Sequence, residues 1–462
     1  MRPSRIVLLF TVVVLVLLVS AGAALAAKPK RVIIITMDQM KPEYVRKYDM
    51  TWMKWLQAKG VNFKNAHVGQ MASETVVSHN TIVSGQFPKH MGWSDEVLRD
   101  VDNVLGYGEG AIVTVGDLTY DQYVQLIEAR GYPKLGDYMH KKWPERVVAN
   151  FGEKQYQVES TAASSSDYWV FMGGKKNVAD LADPSVLPWT GKYRGPSGCV
   201  PDFIASDDRF KISSGNAADA YNTDVDKPAW LYPEDGRHVP GVYEEHLGGD
   251  DWVVDAAIKV MEDEDSDWSA MHLNFSGIDK IGHMWGGGDV DTLATYAWDP
   301  STVMAQVHMP WIAKNADDQI GRLITKLKKL GQWKETLFVV LADHGVTYGE
   351  KFYGQDYKNG SYDSWYNDPT GVCANTTYGR PPLTNPVLEP LNATGNIAYS
   401  YQSTAVEAWL IDQSWTTKME AAAVMKTMPS VIATYVRWGD RYVLVSKGAM
   451  TTAEKTWWRA NG

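Results

Sequence analysis

The chain is poor in cysteine, with two in 462 residues, Cys199 and Cys373. That excludes a thiolate metal centre and leaves room for one disulfide at most. It also lacks a cationic excess. Lys and Arg number 45 against 55 Asp and Glu, a formal charge of −10, so there is no electrostatic footprint for nucleic acid. No internal repeat or low-complexity linker interrupts it, and beyond residue 27 no apolar run is long enough to span a bilayer. Histidine is unevenly spread, with ten in all and none after His344. None of this excludes an anionic small-molecule substrate, because a bound dication can invert the field of an acidic surface.

Hydrophobic residues make up 45% of the chain, enough for a large buried core and too many for wholesale disorder. The length fits one large domain with insertions or two ordinary ones. The start, MRPSRIVLLFTVVVLVLLVSAGAALAAKPK, has a charged beginning, an apolar stretch and a small-x-small ending at Ala24-Leu25-Ala26. This pattern predicts a signal peptide over residues 1–26 and an exported product, periplasmic, extracellular or at the cell surface. The alternative is an uncleaved anchor over Ile6–Ala27, the one route to membrane attachment.

Three apolar runs end in acidic residues. RVIIIT reaches Asp38, a run over Ser269–Phe275 reaches Asp279 and His283, and TLFVVL reaches Asp343 and His344. Each is nearly continuously apolar, as expected of strands buried on both faces of a parallel sheet. Amphipathic helical patterns, DDWVVDAAIKVMEDE and ADDQIGRLITKLKKLGQWKE, precede the second and third. The alternation predicts an α/β fold, a doubly wound, mostly parallel sheet sandwiched by helices. Ligands bind such sheets outside the carboxyl ends of the strands, where all three acidic clusters fall. Residues 27–96 and 250–462 are expected to form this core. The stretch 97–249, rich in Gly, Asp, Ser, Tyr and Trp, is expected to be a large cap insertion. Near the end, extended segments around 397–401, 431–437 and 441–447 flank a helix near 416–428.

Singly, the polar residues at these strand ends have ordinary explanations as turns and caps. Thr75, opening the run TVVSHNTIVSG, reads as a helix-start residue on the same grounds. Together, Asp38, Asp279, His283, Asp343 and His344 supply the oxygen and nitrogen donors suited to Zn²⁺ and related dications. Asp279 and His283, four apart, can share one face of a turn.

The motifs IIITMDQM, ETVVSHNTIVSGQFPKHMG, GIDKIGHMWG and VVLADHG, in this order, resemble those of the alkaline phosphatase superfamily, in its type I phosphodiesterase/nucleotide pyrophosphatase branch. The resemblance implies an alkaline-phosphatase-like fold and a hydrolase of phosphodiester or pyrophosphate bonds in small-molecule substrates. It implies two divalent metals, Zn²⁺ first and Mn²⁺ as the alternative. One would be bound by Asp38, Thr75, Asp343 and His344, the other by Asp279, His283 and a later histidine. Thr75 stands where the family places its nucleophile, so a phosphothreonine intermediate is implied. A nucleophile at a helix N-terminus has backbone N–H groups facing the phosphate.

Two departures stand out. Glu96 falls at a position where the family usually has a substrate-contacting Asn, which makes it a candidate substrate-binding residue. No histidine follows His344, which predicts either that the sequence continues beyond Gly462 or that His238 or His246 substitutes. A sulfatase would need C/S-x-P-x-R, and CVPDF at Cys199 lacks the Arg. A phosphomonoesterase, a phosphonate hydrolase and a binding protein that has lost catalysis remain the rivals.

Overall fold

The computed structural model describes residues 28–70, 72–93, 95–115, 118–171, 202–205, 249–263, 267–279, 302–345, 388–402, 406–428, 431, 433–439 and 441–447. Its first half runs from β1 (Arg31–Met37) through α1 (Thr51–Lys59), α2 (Thr75–Ser84), β2 (Val97–Asp100), β3 (Ala111–Thr114) and α3 (Tyr120–Arg130). It continues through α4 (Leu135–Lys142), β4 (Val147–Gly152), α5 (Gln155–Ala162) and β5 (Tyr168–Phe171). Then come α6 (Gly249–Glu262), β6 (Trp268–Phe275), α7 (Thr302–Lys329) and β7 (Thr336–Leu341). After these lie β8 (Ile397–Gln402), β9 (Val406–Leu410), α8 (Trp415–Met425), β10 (Ala433–Trp438) and β11 (Arg441–Lys447).

Five strands form one sheet in the order β5-β4-β6-β1-β7, and every pairing is parallel. The registers Val32↔Ala270 and Arg31↔Thr336 set β6 and β7 on either side of β1. The carboxyl ends of β1, β6 and β7 therefore lie side by side. Helices on both faces make this the α/β sandwich that the sequence predicts.

Side-chain alternation divides the sheet into two unlike faces. Ile33, Ile35 and Met37 of β1, with Met271, Leu273 and Phe275 of β6, pack against Trp252, Val253 and Ala257 of α6 and Ile312, Ile320 and Leu323 of α7. Helix α1 joins this side, and Asp317 of α7 accepts from the backbone N–H groups of Trp52 and Met53 at its start, at 2.9 and 2.8 Å. The other face presents Thr36, Asn150, His272 and Asn274, all buried, beneath α2 and α5.

The expected boundaries need correction. Strands β4 and β5, both central-sheet members, come from the stretch 97–249 read as a cap, so 147–171 is core. The segment before it does form an added layer. Strands β2 and β3 pair as an antiparallel hairpin, and α3 opens with a Thr119/Gln122 capping box and closes at Gly131, φ 66°. Leu98, Val113, Tyr123 and Leu126 from this layer bury Val76 and Val77 on the outer side of α2.

Strand β7, expected to be buried on both faces, edges the described sheet and is only half-buried, with Leu337 47% exposed. Strands β8, β10 and β11 and helix α8 lie near where the sequence puts them, and β9 is an additional strand. The strands form the antiparallel pairs β8–β9 and β10–β11 rather than extending the parallel sheet. Residues 1–27, both cysteines, His238, His246 and His283 lie outside the described residues.

Candidate active site

Each strand end delivers one part of the cluster. Asp38 follows β1 directly, its backbone N–H held by Phe275 O at 3.0 Å. Gln39 then takes a left-handed φ of 63°, and its backbone N–H donates to Asp343 Oδ1 at 3.2 Å. Asp343 and His344 follow β7, and the His344 N–H bonds the same Oδ1 at 2.8 Å. Asp38, Asp343 and His344 each offer a ligand atom, all within 4.8 Å of one another. His344 Nε2 lies 3.4 Å from both Asp38 Oδ1 and Asp343 Oδ2.

Thr75 is the first helical residue of α2 and is 4% exposed. The N-cap is Glu74, with no side-chain cap bond, so the Thr75 hydroxyl is not spent on capping. It meets the ammonium of Lys154, whose Nζ donates to Thr75 Oγ1 at 3.1 Å and Asp38 Oδ2 at 2.8 Å. The same Nζ pairs with Asp279 Oδ2 at 2.7 Å. Thus Asp38, Thr75 and Asp279 converge on one buried cation, and Asp38, Asp343 and His344 form the adjoining cluster. Glu96 starts the β2–β3 layer, its backbone N–H 3.4 Å from Glu74 Oε2 and 2.6 Å from Asp95 Oδ1.

Sequence reasoning missed Lys154. It sits in GEKQY between β4 and α5, a lone lysine without periodicity or motif to mark it. Its position follows from the fold. Strand β4 ends beside β6, Lys154 is the N-cap of α5, and the far end of that helix is clamped by buried Lys134, whose Nζ donates to the carbonyls of Ser160, Thr161 and Ala163 at 2.6, 3.3 and 2.9 Å.

The electrostatics match a site built for cationic charge. Burial first, then Asp279 and Asp343, push the Asp38 carboxyl well above its ordinary range. Burial also acts on Asp343, but His344, His79 and Lys154 outweigh it and hold this carboxyl below the usual range. His344 goes the other way from most buried imidazoles: burial opposes its charge, yet Asp343, Asp38 and Asp279 raise its pKa. Crowded carboxylates of this kind favour a divalent cation among them.

The residues fit such a cation. Asp38 Oδ1 is buried without a hydrogen bond, Asp343 Oδ2 has only the His79 ring nitrogen at 3.3 Å beside it, and both face His344, an oxygen–oxygen–nitrogen set of the kind Zn²⁺ accepts. Asp279 is in place beside them, and its sequence partner His283 lies outside the described residues.

Buried oxygen and nitrogen donors at the carboxyl ends of a parallel sheet, beside a hydroxyl at a helix N-terminus, are the arrangement in which a candidate hydrolytic site is sought. The type I phosphodiesterase/nucleotide pyrophosphatase family model matches residues 32–376, and the chain belongs to that family. No curated protein matches it by sequence. Among solved structures, it is similar to murine ectonucleotide pyrophosphatase/phosphodiesterase 5, at 13% identity and a TM-score of 0.33, over 68% of this chain and 57% of that one. It is similar to the alkaline phosphatase PafA at 13% identity and a TM-score of 0.46, over 88% and 79%. It is also similar to the phosphonate monoester hydrolase of Agrobacterium radiobacter at 10% and 0.38, over 70% and 64%. The chain thus spans less than two thirds of the murine and Agrobacterium chains.

Proposed function

We propose that this protein is an exported, metal-dependent hydrolase of phosphodiester or pyrophosphate bonds, with Thr75 as the nucleophile. The observation that carries the reading is the Thr75 hydroxyl at the N-terminus of α2, 3.1 Å from Lys154 Nζ and flanked by the strand-end cluster. Asp38, Asp343 and His344, with the Thr75 hydroxyl, would hold one dication, Zn²⁺ before Mn²⁺ on donor type, and Asp279 and His283 would serve a second. Dications there would lower the hydroxyl's pKa and neutralise charge on the phosphoryl oxygens.

The chain's own groups supply the rest. The α2 N-terminus aims backbone N–H groups and the positive end of its dipole at an incoming phosphoryl group. Lys154 donates to Thr75 Oγ1 and so favours the alkoxide over the hydroxyl. The alkoxide attacks phosphorus, the P–O bond to the leaving group breaks, and phosphorus, keeping the substrate's other substituent, is joined to Thr75 Oγ1 as a phosphothreonine ester. Water then cleaves that ester and restores the hydroxyl. Burial of Asp38, Asp279 and Asp343, each 2% exposed or less, keeps bulk water from screening these charges.

The test is hydrolysis of a nitrophenyl phosphodiester beside the monoester, with and without a chelator. Diester turnover that a chelator abolishes and Zn²⁺ restores is the expected result. Monoester turnover alone would reassign the substrate class, and chelator-resistant turnover would reject metal dependence. A chain that binds dications and hydrolyses neither ester would be a binding protein.

A further inference from the structure

One feature of the buried polar face serves no role in the chemistry above. His79, one turn after Thr75 on α2, is fully buried. Its Nε2 lies 3.3 Å from Asp343 Oδ2, and its Nδ1 lies 3.1 Å from Gln157 Nε2 on α5. The other Asp343 oxygen, Oδ1, is already fixed by the backbone N–H groups of Gln39 and His344. Oδ2 is therefore the oxygen left to meet a cation, and His79 is what stands behind it.

The proton inventory leaves one arrangement. An ionised carboxylate only accepts, so the ring nitrogen facing it must carry the proton. In a neutral imidazole Nδ1 is then bare and accepts, which requires Gln157 to present its NH₂ group there. Flipping the amide would put the proton on Nδ1 and set two lone pairs against each other at Asp343. The site is shaped for this amide: a Cβ at residue 152 would come 2.6 Å from Gln157 Oε1, so Gly152 makes its room. The ring is braced on the other side by His272, centroid to centroid 5.2 Å.

We propose that His79 and Gln157 are positioning residues for the cation site: Gln157 fixes the His79 tautomer, and the His79 Nε2–H, facing Asp343 Oδ2 at 3.3 Å, aims that oxygen toward Asp38 and His344. The assignment rests on the dication reading above. Groups that orient a ligating side chain are worth about 10- to 100-fold in metal affinity.

The experiment is equilibrium competition for Zn²⁺ against a chromogenic chelator, run on the full chain. His79→Phe, which keeps a ring and loses the donor, should bind Zn²⁺ at least about 10-fold more weakly. His79→Gln, whose amide nitrogen reaches the Nε2 position, should stay within about threefold of wild type, since the hydrogen-bond donor is retained. Should His79→Phe not fold, Gln157→Met and histidine ¹⁵N spectra decide: wild type should show the Nε2–H tautomer at His79, with Gln157→Met shifted toward Nδ1–H and weaker in Zn²⁺. Equal Zn²⁺ affinity in wild type and His79→Phe would overturn the inference alone, as would an Nδ1–H tautomer in wild type. A wild-type chain that takes up no Zn²⁺ would overturn the dication reading and this inference with it.

Discussion

The two faces of the central sheet are equally buried and chemically opposite. On the α6–α7 side, residues such as Ile35, Leu273, Ile320 and Leu323 are all 0% exposed and need no particular partner. On the α2–α5 side the same strands turn Thr36, Asn150 and His272 into an interior where each polar group must find one. They do so in a chain: Thr36 Oγ1 to His272 Nε2 at 3.0 Å, His272 Nδ1 to Asn150 Oδ1 at 3.2 Å, Thr161 Oγ1 to Asn150 Oδ1 at 3.3 Å, and Asn150 Nδ2 to Ser166 Oγ at 2.6 Å. Burial pushes the pKa of both His79 and His272 down, which favours the neutral rings. The apolar face supplies stability through non-directional contact. The polar face is directional, and it sits behind the strand-end cluster, where side chains must be held at set angles.

Removing the proposed chemistry without touching either face should have the largest effect. Thr75→Ala should lower turnover by about three orders of magnitude or more, as loss of a nucleophile does, with thermal stability and metal content near those of wild type. Near-normal activity would reject the nucleophile.

The faces themselves can then be broken one at a time. Ile320→Ala on the apolar side should cost about 2–5 kcal/mol by leaving a cavity, measured by chemical denaturation, and leave Zn²⁺ affinity unchanged. Asn150→Leu should cost less stability, about 1–3 kcal/mol, because His272 and Thr161 lose an acceptor, yet it should weaken Zn²⁺ binding. If both variants altered metal affinity alike, the division of labour between the faces would be wrong.

The smallest effect belongs at the opposite end of the sheet, where Arg146 Nε and Arg31 Nη2 each lie 2.9 Å from Asp267. Burial works against that carboxylate's charge, but Arg146 and Arg31 hold its pKa below the ordinary value. A carboxyl depressed on folding stabilises above its unfolded pKa, and the contribution is lost as pH falls through the folded value. Its side chain is 59% exposed, so solvent screening keeps the contribution well under about 1 kcal/mol. Asp267→Asn should show that small loss at neutral pH and none in strong acid, with Zn²⁺ binding untouched.

The same contrast explains what the sequence made legible. Strands β1, β6 and β7 were readable because long apolar runs end in Asp, and those endings carry Asp38, Asp279 and Asp343. Strand β4 was not, because its polar-face residue is Asn150 and it closes in Gly152, so VVANFG reads as a turn-rich segment. Strand β5 has only four residues, YWVF. The apolar face writes itself into sequence as periodicity, whereas the polar face is a set of pairings between residues such as Asn150 and His272 that become neighbours only after folding. Lys154 and Gln157 were invisible for that reason. His79 lies inside the TVVSHNTIVSG run, but nothing in that run marks its approach to Asp343. Strands β8, β10 and β11 were legible as extended segments, whereas β9 was not, and the antiparallel pairing of β8–β9 and β10–β11 depends on partners that local pattern does not specify.

The most direct test of the central claim is to quench the full chain during turnover of a nitrophenyl phosphodiester, digest it, and locate phosphate by mass spectrometry. The account predicts one modified peptide, SETVVSHNTIVSG or a fragment of it, carrying at Thr75 a phosphoryl group that retains the substrate's second ester substituent, and absent in Thr75→Ala. Phosphate on another residue, or turnover that persists in Thr75→Ala with no phosphopeptide, would contradict it.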